Sequence, residues 1–415
     1  MGHAQALERV LGDGTSGVAL RVFDGSHAGP PDSEVGIDIR SPRALSYMAT
    51  APGNLGLARA YVTGELDVDG DLYTVLAHLA RLDLELPLGE RLRLLRELGG
   101  VKLLRPPPRP AQEVRLRGRR HSKSRDQKAI SHHYDVSNRF YRWILGPSMA
   151  YTCAVYPTAT ATLEQAQFAK HDLVARKLGL RPGMRLLDVG CGWGGMVLHA
   201  ARKYGVRVLG VTLSARQAEW AQKAIADAGL TELAEVRHLD YRDVRETDFD
   251  AISSIGLTEH VGLAQLPRYF RMLYDRLVPG GRLLNHCITL PSNADAVRRR
   301  WFVNRYVFPD GELTGVGRLV SLMHDTGFEV RHEENLREHY ALTTAAWSAN
   351  LDAHWDDAVA EVGIAKARVW RLYLAGVRLG FEQNQIQLHQ VLCVKSHGGG
   401  RSAVPLRPDW EPPPA

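Results

Sequence analysis

From about residue 128 onward, the chain alternates short apolar runs with longer stretches of helical periodicity. MRLLDVG (184–190), VRVLGVTLS (206–214), AEVRHLDY (234–241), FDAISSIG (249–256), GRLLNHCIT (281–289) and IQLHQVLCV (386–394) read as strands. Segments such as SARQAEWAQKAIADAG (214–229) lie between them as helices. Such alternation predicts a doubly wound α/β sheet with mainly parallel strands. A helical insertion over about 291–375 precedes the last strand. Upstream, VALRVFDG (18–25) and VGIDIRS (35–41) read as short strands. DLYTVLAHLARLDL (71–84) then sets Leu72, Val75, Leu76 and Leu79 on one helical face. GERLRLLREL (89–98) follows, with Leu88, Leu92 and Leu95 as a stripe and Arg91, Arg93 and Arg96 interleaved.

These changes of pattern divide the chain into a small α+β domain (1–103), a basic, Pro-rich linker (104–127), an α/β domain (128–395) and a tail expected to be disordered (396–415). RPPPRP (105–110) cannot be helical inside and reads as a stiff, extended linker. Two domains suit the length of 415 residues. No stretch approaches the ~18–20 apolar residues needed to span a bilayer. The start, MGHAQALERVLGDG, lacks a basic-then-apolar leader, which predicts a cytoplasmic protein. Cys153, Cys191, Cys287 and Cys393 form no CxxC, which argues against a disulfide framework and a structural zinc site. His132, His133 and His339 have no metal-binding spacing, and no metal is assigned.

Charge changes the picture at one place. Lys102 to Lys128 holds ten Lys/Arg and two acids, an excess of +8 within a net charge of +6, so the remainder is slightly acidic. This segment could meet anionic lipid headgroups, or be a solvated tether. No nucleic-acid-binding motif or interleaved aromatic accompanies it, so nucleic acid is not an expected partner.

The candidate chemistry begins at LLDVGCGWGG (186–195), a glycine loop between an expected strand and an expected helix. Its glycines satisfy both G-x-G-x-x-G and G-x-G-x-G. Dinucleotide binding wants an acid about 20 residues on, at the end of the second strand. That strand ends GVTLSARQ, with no acid; Thr212, Ser214 and Gln217 could bond a ribose instead. Asp188 suits a cationic amino group, and Asp240 with Tyr241 suits an adenine pocket. These features favour S-adenosylmethionine.

SHHYDVSNRFY (131–141), YTCAVY (151–156), the glycine loop, VTLSARQ, TEHVG (258–262), NHCI (285–288) and NQIQLHQVL (384–392) together resemble the cyclopropane fatty acid synthase family. The resemblance covers roughly residues 128–395 and implies a class I S-adenosylmethionine methyltransferase fold, Rossmann-like, with a helical lid insertion. It implies contacts to S-adenosylmethionine from Tyr151, Thr152, Asp188, Gly190, Cys191, Gly192, Gly194, Thr212, Leu213, Ser214, Gln217, Tyr241 and Arg242. It also implies a bicarbonate base held by Cys153, Glu259, His286, Tyr340 and the backbone of Ile288. Some family members carry a cysteine, once proposed as catalytic, where this chain has Val377, which excludes a thiol nucleophile there. The implied reaction adds a one-carbon unit across a cis double bond of a phospholipid acyl chain through a carbocation. Tyr156, Trp301, Tyr306, Phe308 and Tyr340 are candidate aromatic faces for that cation, or core residues.

Ring closure gives a cyclopropane. A hydride shift before proton loss gives a methylene branch, which a partner reductase would then reduce. The N-terminal domain and linker resemble two-domain bacterial enzymes acting on phospholipids. They imply a lipid-associating role, peripheral to the inner face of an anionic membrane, and a homodimer. A small-molecule methyltransferase is the distant alternative.

Overall fold

The computed structural model describes residues 2–11, 17–51, 53–81, 87–114, 118–123, 125–127, 137–294 and 301–411. The chain forms two units. One takes Met1–Arg115, Arg299–Pro309 and Leu351–Leu379; the other takes Leu116–Arg298, Asp310–Asn350 and Gly380–Ala415. These limits differ from those expected from sequence, because two later segments belong with the N-terminal residues. Leu372 and Ala375, on the helix Ile364–Glu382, pack into the first unit's core. Arg368, on the same helix, donates to the Tyr61 carbonyl and to Asp67.

The first unit holds a four-stranded sheet of β1 (Ala19–Val22), β2 (His27–Ala28), β3 (Gly36–Ile39) and β4 (Leu66–Asp69), in the order β2-β1-β3-β4. The Pro-rich run is fastened to this unit rather than free. The Tyr47 hydroxyl donates to the Pro108 carbonyl, and Arg59 grips the buried Glu113 carboxylate with two donors. On the helix Leu88–Leu98 the expected stripe turns outward at two positions: Leu88 is 73% and Leu92 54% exposed, while Leu94, Leu95 and Leu98 pack on the core.

The second unit is built on seven strands: β5 (Arg185–Val189), β6 (Arg207–Thr212), β7 (Ala234–His238), β8 (Phe249–Ile255), β9 (Leu277–Thr289), β10 (Glu329–Asn335) and β11 (Gln387–Val394). Their order is β10-β11-β9-β8-β5-β6-β7. β9, β8, β5, β6 and β7 run parallel, and β11 and β10 add antiparallel. Two buried apolar layers, one around Leu186, Val208 and Val236 and the other around Leu187, Val211 and Leu283, account for the near-continuous apolar strands. This is the Rossmann-like class I methyltransferase fold.

All six expected strands form, and β10 is an addition within the expected helical insertion. Its sequence, EVRHEEN, is mostly polar because it is an edge strand paired only with β11. The tail also differs from expectation over 396–411. Trp410 packs beside the core, Arg176 Nε donates to its carbonyl at 2.9 Å, and Arg282 bonds the Ala403 carbonyl.

Candidate active site

The strand order reverses between β5 and β8, so the C-terminal ends of these parallel neighbours open a crevice where open α/β sheets bind ligands. Into it runs the loop after β5. Gly190, Gly192 and Gly194 take φ values of 76°, 55° and 84°, in the left-handed region that favours glycine. Nothing lies within 4 Å of where a Cβ would stand on Gly192, whereas one on Gly194 would meet Ala221 Cβ at 2.9 Å. Gly192 therefore keeps the crevice open, and Gly194 lets the helix Gly195–Tyr204 pack closely.

Of the residues expected at the cofactor, Tyr151, Thr152, Asp188, Gly190, Cys191, Gly192, Thr212, Leu213, Gln217 and Tyr241 line this crevice. Gly194, Ser214 and Arg242 are not among its lining residues. Ser214 caps the helix Ala215–Asp227 by accepting from the Gln217 amide. Arg242 is bound to the carboxylates of Asp240 and Asp126, so Asp240 is engaged in an ion pair and does not line the pocket.

Asp188 is buried and accepts from the Ser253 hydroxyl at 2.6 Å. Burial raises its carboxyl to about 6, against that hydrogen bond and the charge of Lys170. Lys170, His171 and His260 also line the crevice and have no counterpart in the sequence reading. Lys170 is 1% exposed and makes no hydrogen bond or ion pair among the described residues. Burial lowers it to about 8, and the Asp188 charge opposes that shift. The helix Leu163–Leu178 carries the missed signal. Gln167, Lys170, His171 and Lys177 recur on its core-facing side among Ala166, Val174 and Leu178.

The second expected group sits where β9 borders β8. His286 pairs with Ile255 across the sheet, and its carbonyl accepts from the Gly256 amide at 2.8 Å; both partners line the crevice. Two residues further along the same side of β9, the Ile288 amide donates to Glu259 Oε1 at 2.7 Å. Burial raises the Glu259 carboxyl to about 7, and its Oε2 is buried without a hydrogen-bond partner among the described residues. His286 Nδ1 accepts from Gln390 Nε2 at 3.2 Å, while its Nε2 is likewise buried and without a partner among the described residues. Burial holds its ring well below the ordinary imidazole range.

Cys153 is fully buried, with its thiol toward the Ala154 and Leu336 carbonyls, and burial pushes it far above the usual thiol range. The Leu336 carbonyl also accepts from the Tyr340 amide, which brings Cys153 and Tyr340 to one turn of chain. The Tyr340 ring stacks on Phe381 with centroids 4.4 Å apart. The structure thus joins Glu259 directly to Ile288 and sets Cys153 beside Tyr340. Among the other aromatic candidates, Tyr156 lies parallel to His339, whereas Tyr306 and Phe308 belong to the first unit and contact Glu113 and Tyr373 there. The side chain of Trp301, and His132 and His133, lie outside the described residues.

The basic segment is partly neutralised. Arg125 forms a two-pronged pair with Asp310 at 2.6 and 2.7 Å, and Arg120 and Lys123 reach Glu312 and Asp243.

The family model described as mycolic acid cyclopropane synthetase matches residues 121–391. The "Probable fatty acid methyltransferase Rv3720" of Mycobacterium tuberculosis is 54% identical over 99% of this chain and 98% of its own length. A protein described in the same terms from Pseudomonas putida is 38% identical over 93% of this chain and 94% of its own. The crystal structure of the mycolic acid cyclopropane synthase CmaA1 complexed with SAH and CTAB has a TM-score of 0.61. It is 33% identical and covers 64% of this chain and 97% of that one.

Proposed function

The chain belongs to the mycolic acid cyclopropane synthetase family, and from that premise we propose that it adds a one-carbon unit from S-adenosylmethionine to a cis double bond of an unsaturated phospholipid acyl chain. The observation that carries this reading is a pair of unsatisfied buried atoms, His286 Nε2 and Glu259 Oε2, on residues that flank the crevice. Buried polar atoms are rarely left without partners. A plain N- or O-methylation needs no such pair. Loss of a proton from a carbon centre needs a held base.

The crevice fits S-adenosylmethionine on its own chemistry. Asp188 would pair with its amino group, Lys170 would offer the charge its carboxylate needs, and Gly192 leaves room. The bound cofactor supplies an electrophilic methyl group. The acyl chain's double bond gives the electron pair of the new C–C bond, and the bond to sulfur breaks with its pair staying on sulfur. One proton must then leave the added carbon for a cyclopropane to close.

A bicarbonate ion fits the second group, because it accepts hydrogen bonds and carries one O–H. When bound it supplies the base. His286 Nε2–H and the Tyr340 hydroxyl would donate to it, and Glu259 Oε2 would be the acceptor for its proton. Cys153, whose thiol turns to the Ala154 and Leu336 carbonyls, would be at most a weak donor.

The alternative fate of the cation, a hydride shift that leaves a methylene branch, uses the same groups. The Mycobacterium tuberculosis and Pseudomonas putida relatives are described as probable fatty acid methyltransferases, which accords with either product.

The substrate would be reached at an anionic bilayer surface. On the first unit Leu88, Leu92, Val101 and Leu104 are 73%, 54%, 80% and 49% exposed, amid the exposed Arg91, Arg93, Arg96, Lys102 and Arg105. Apolar side chains set among cations suit the boundary between headgroups and acyl chains. Among the described residues no helix is long and apolar enough to cross a membrane.

The test compares vesicles of cis-unsaturated and fully saturated phosphatidylglycerol with methyl-labelled S-adenosylmethionine. Label enters only the unsaturated lipid. Equal labelling of both, or of neither while cofactor binding is intact, would remove the assignment to acyl chains.

A further inference from the structure

A row of side chains crosses the sheet into the second group. The strand register sets Glu334 of β10 beside Gln390 of β11, Gln390 beside His286 of β9, and His286 beside Ile255 of β8. Residues paired across neighbouring strands present their side chains on the same face. The row therefore runs from a sheet edge, where the Glu334 side chain is 37% exposed, to the rim of the cofactor crevice. Over it lies Lys177, the last lysine of the helix Leu163–Leu178, with its side chain wholly buried. Its ammonium donates to Gln390 Oε1 at 2.8 Å and pairs with Glu334.

An ammonium can only donate, so the oxygen of the Gln390 amide must face Lys177. The NH2 end is then turned to His286 Nδ1, which lies 3.2 Å away and must accept. In a neutral imidazole the remaining proton sits on the other nitrogen. That nitrogen, Nε2, is buried and unsatisfied.

We propose that Lys177 and Gln390 are positioning residues that lock His286 in the Nε2–H tautomer and so present a fixed donor to the site. This rests on the anion-site reading above. A carboxamide does not pass a proton along, so the row orients His286 and does not relay. A leucine at 177 would fill the volume without a buried charge, but would leave the amide free to flip and the tautomer unset. A lysine kept at a wholly buried position is accounted for by this role.

The test reads the His286 tautomer in the full-length, histidine-labelled protein by long-range proton–nitrogen correlation, with His286→Asn to assign the signals. The wild type is expected to show a bare Nδ1 and a protonated Nε2. Gln390→Glu, isosteric and still able to accept from Lys177, now accepts from Nδ1–H and inverts the pattern. Lys177→Met is expected to give a mixture of tautomers. Turnover with cis-unsaturated vesicles is expected to fall by about 10- to 100-fold in Gln390→Glu, in kcat rather than KM, as for loss of one hydrogen bond to an ion.

A wild-type ring with its proton on Nδ1, or a pattern unchanged by Gln390→Glu, would overturn the proposal. So would inversion without loss of turnover. Omitting bicarbonate separates the two readings. If turnover proves indifferent to bicarbonate while the tautomers behave as expected, the anion-site reading fails and the positioning of His286 stands.

Discussion

Glu259 is the residue whose environment most constrains the chemistry. The Ile288 amide fixes one oxygen, the other is buried without a partner among the described residues, and burial raises the carboxyl to about 7. A group raised to that value is protonated, and unable to accept a proton, at lower pH. Turnover is therefore expected to fall as pH drops through about 7, and Glu259→Gln is expected to lower kcat by about 100-fold or more and abolish this limb. A pH–rate profile of both proteins checks it. Lys170 makes a separate prediction. If its ammonium holds the cofactor's carboxylate, the wild type binds S-adenosylmethionine about tenfold or more tighter than its decarboxylated analogue, and Lys170→Met erases the difference. Calorimetry with the two ligands reads this without turnover. The glycine loop and Asp188, which line the crevice, were legible in a local motif, and Glu259 and His286 were singled out only by the motifs of the resemblance. Lys170 and Lys177 lie in no motif, and Gln390 lies in NQIQLHQVL, a motif that by itself assigns it no role. The role of Lys177 arises from packing a helix against strands more than 100 residues away, and only the polarity of the two lysines on a buried helix face marks them.

At the scale of elements, the parallel strands announce themselves because both their faces are buried, whereas β10 is polar and invisible to a hydrophobic pattern. The segment around residues 118–127 shows the opposite error. Read as a run of charge it resembles a free tether, yet Arg125 is held by the buried Asp310, and Glu312 accepts from the Leu263 amide while its own amide donates to the Glu259 carbonyl. What the sequence could not show was the acids, which lie nearly 200 residues further on. Arg125→Ala leaves the Asp310 carboxylate buried without this partner. With the guanidinium only partly buried, a loss of about 2 kcal/mol is expected, a downward Tm shift of about 4 to 8 °C by thermal melting. An unchanged Tm would mean that the pair is merely incidental to the fold.

At the scale of the whole molecule, the proposed function requires a reaction centre and a separate surface that meets an insoluble substrate. The first unit carries exposed leucines and valine among arginines. Replacing Leu92 and Val101 together by glutamate is expected to reduce sedimentation with anionic vesicles by about tenfold or more and leave S-adenosylmethionine binding intact. Undiminished vesicle binding would place the contact elsewhere. The central claim, that the transferred methyl loses a hydrogen after joining carbon, is tested most directly with trideuteromethyl S-adenosylmethionine and cis-unsaturated phospholipid vesicles, followed by mass analysis of the acyl chains. The account predicts a chain that keeps two of the three deuterons, with the third released as the ring or methylene forms. An acceptor carrying all three deuterons would show simple methylation and contradict it.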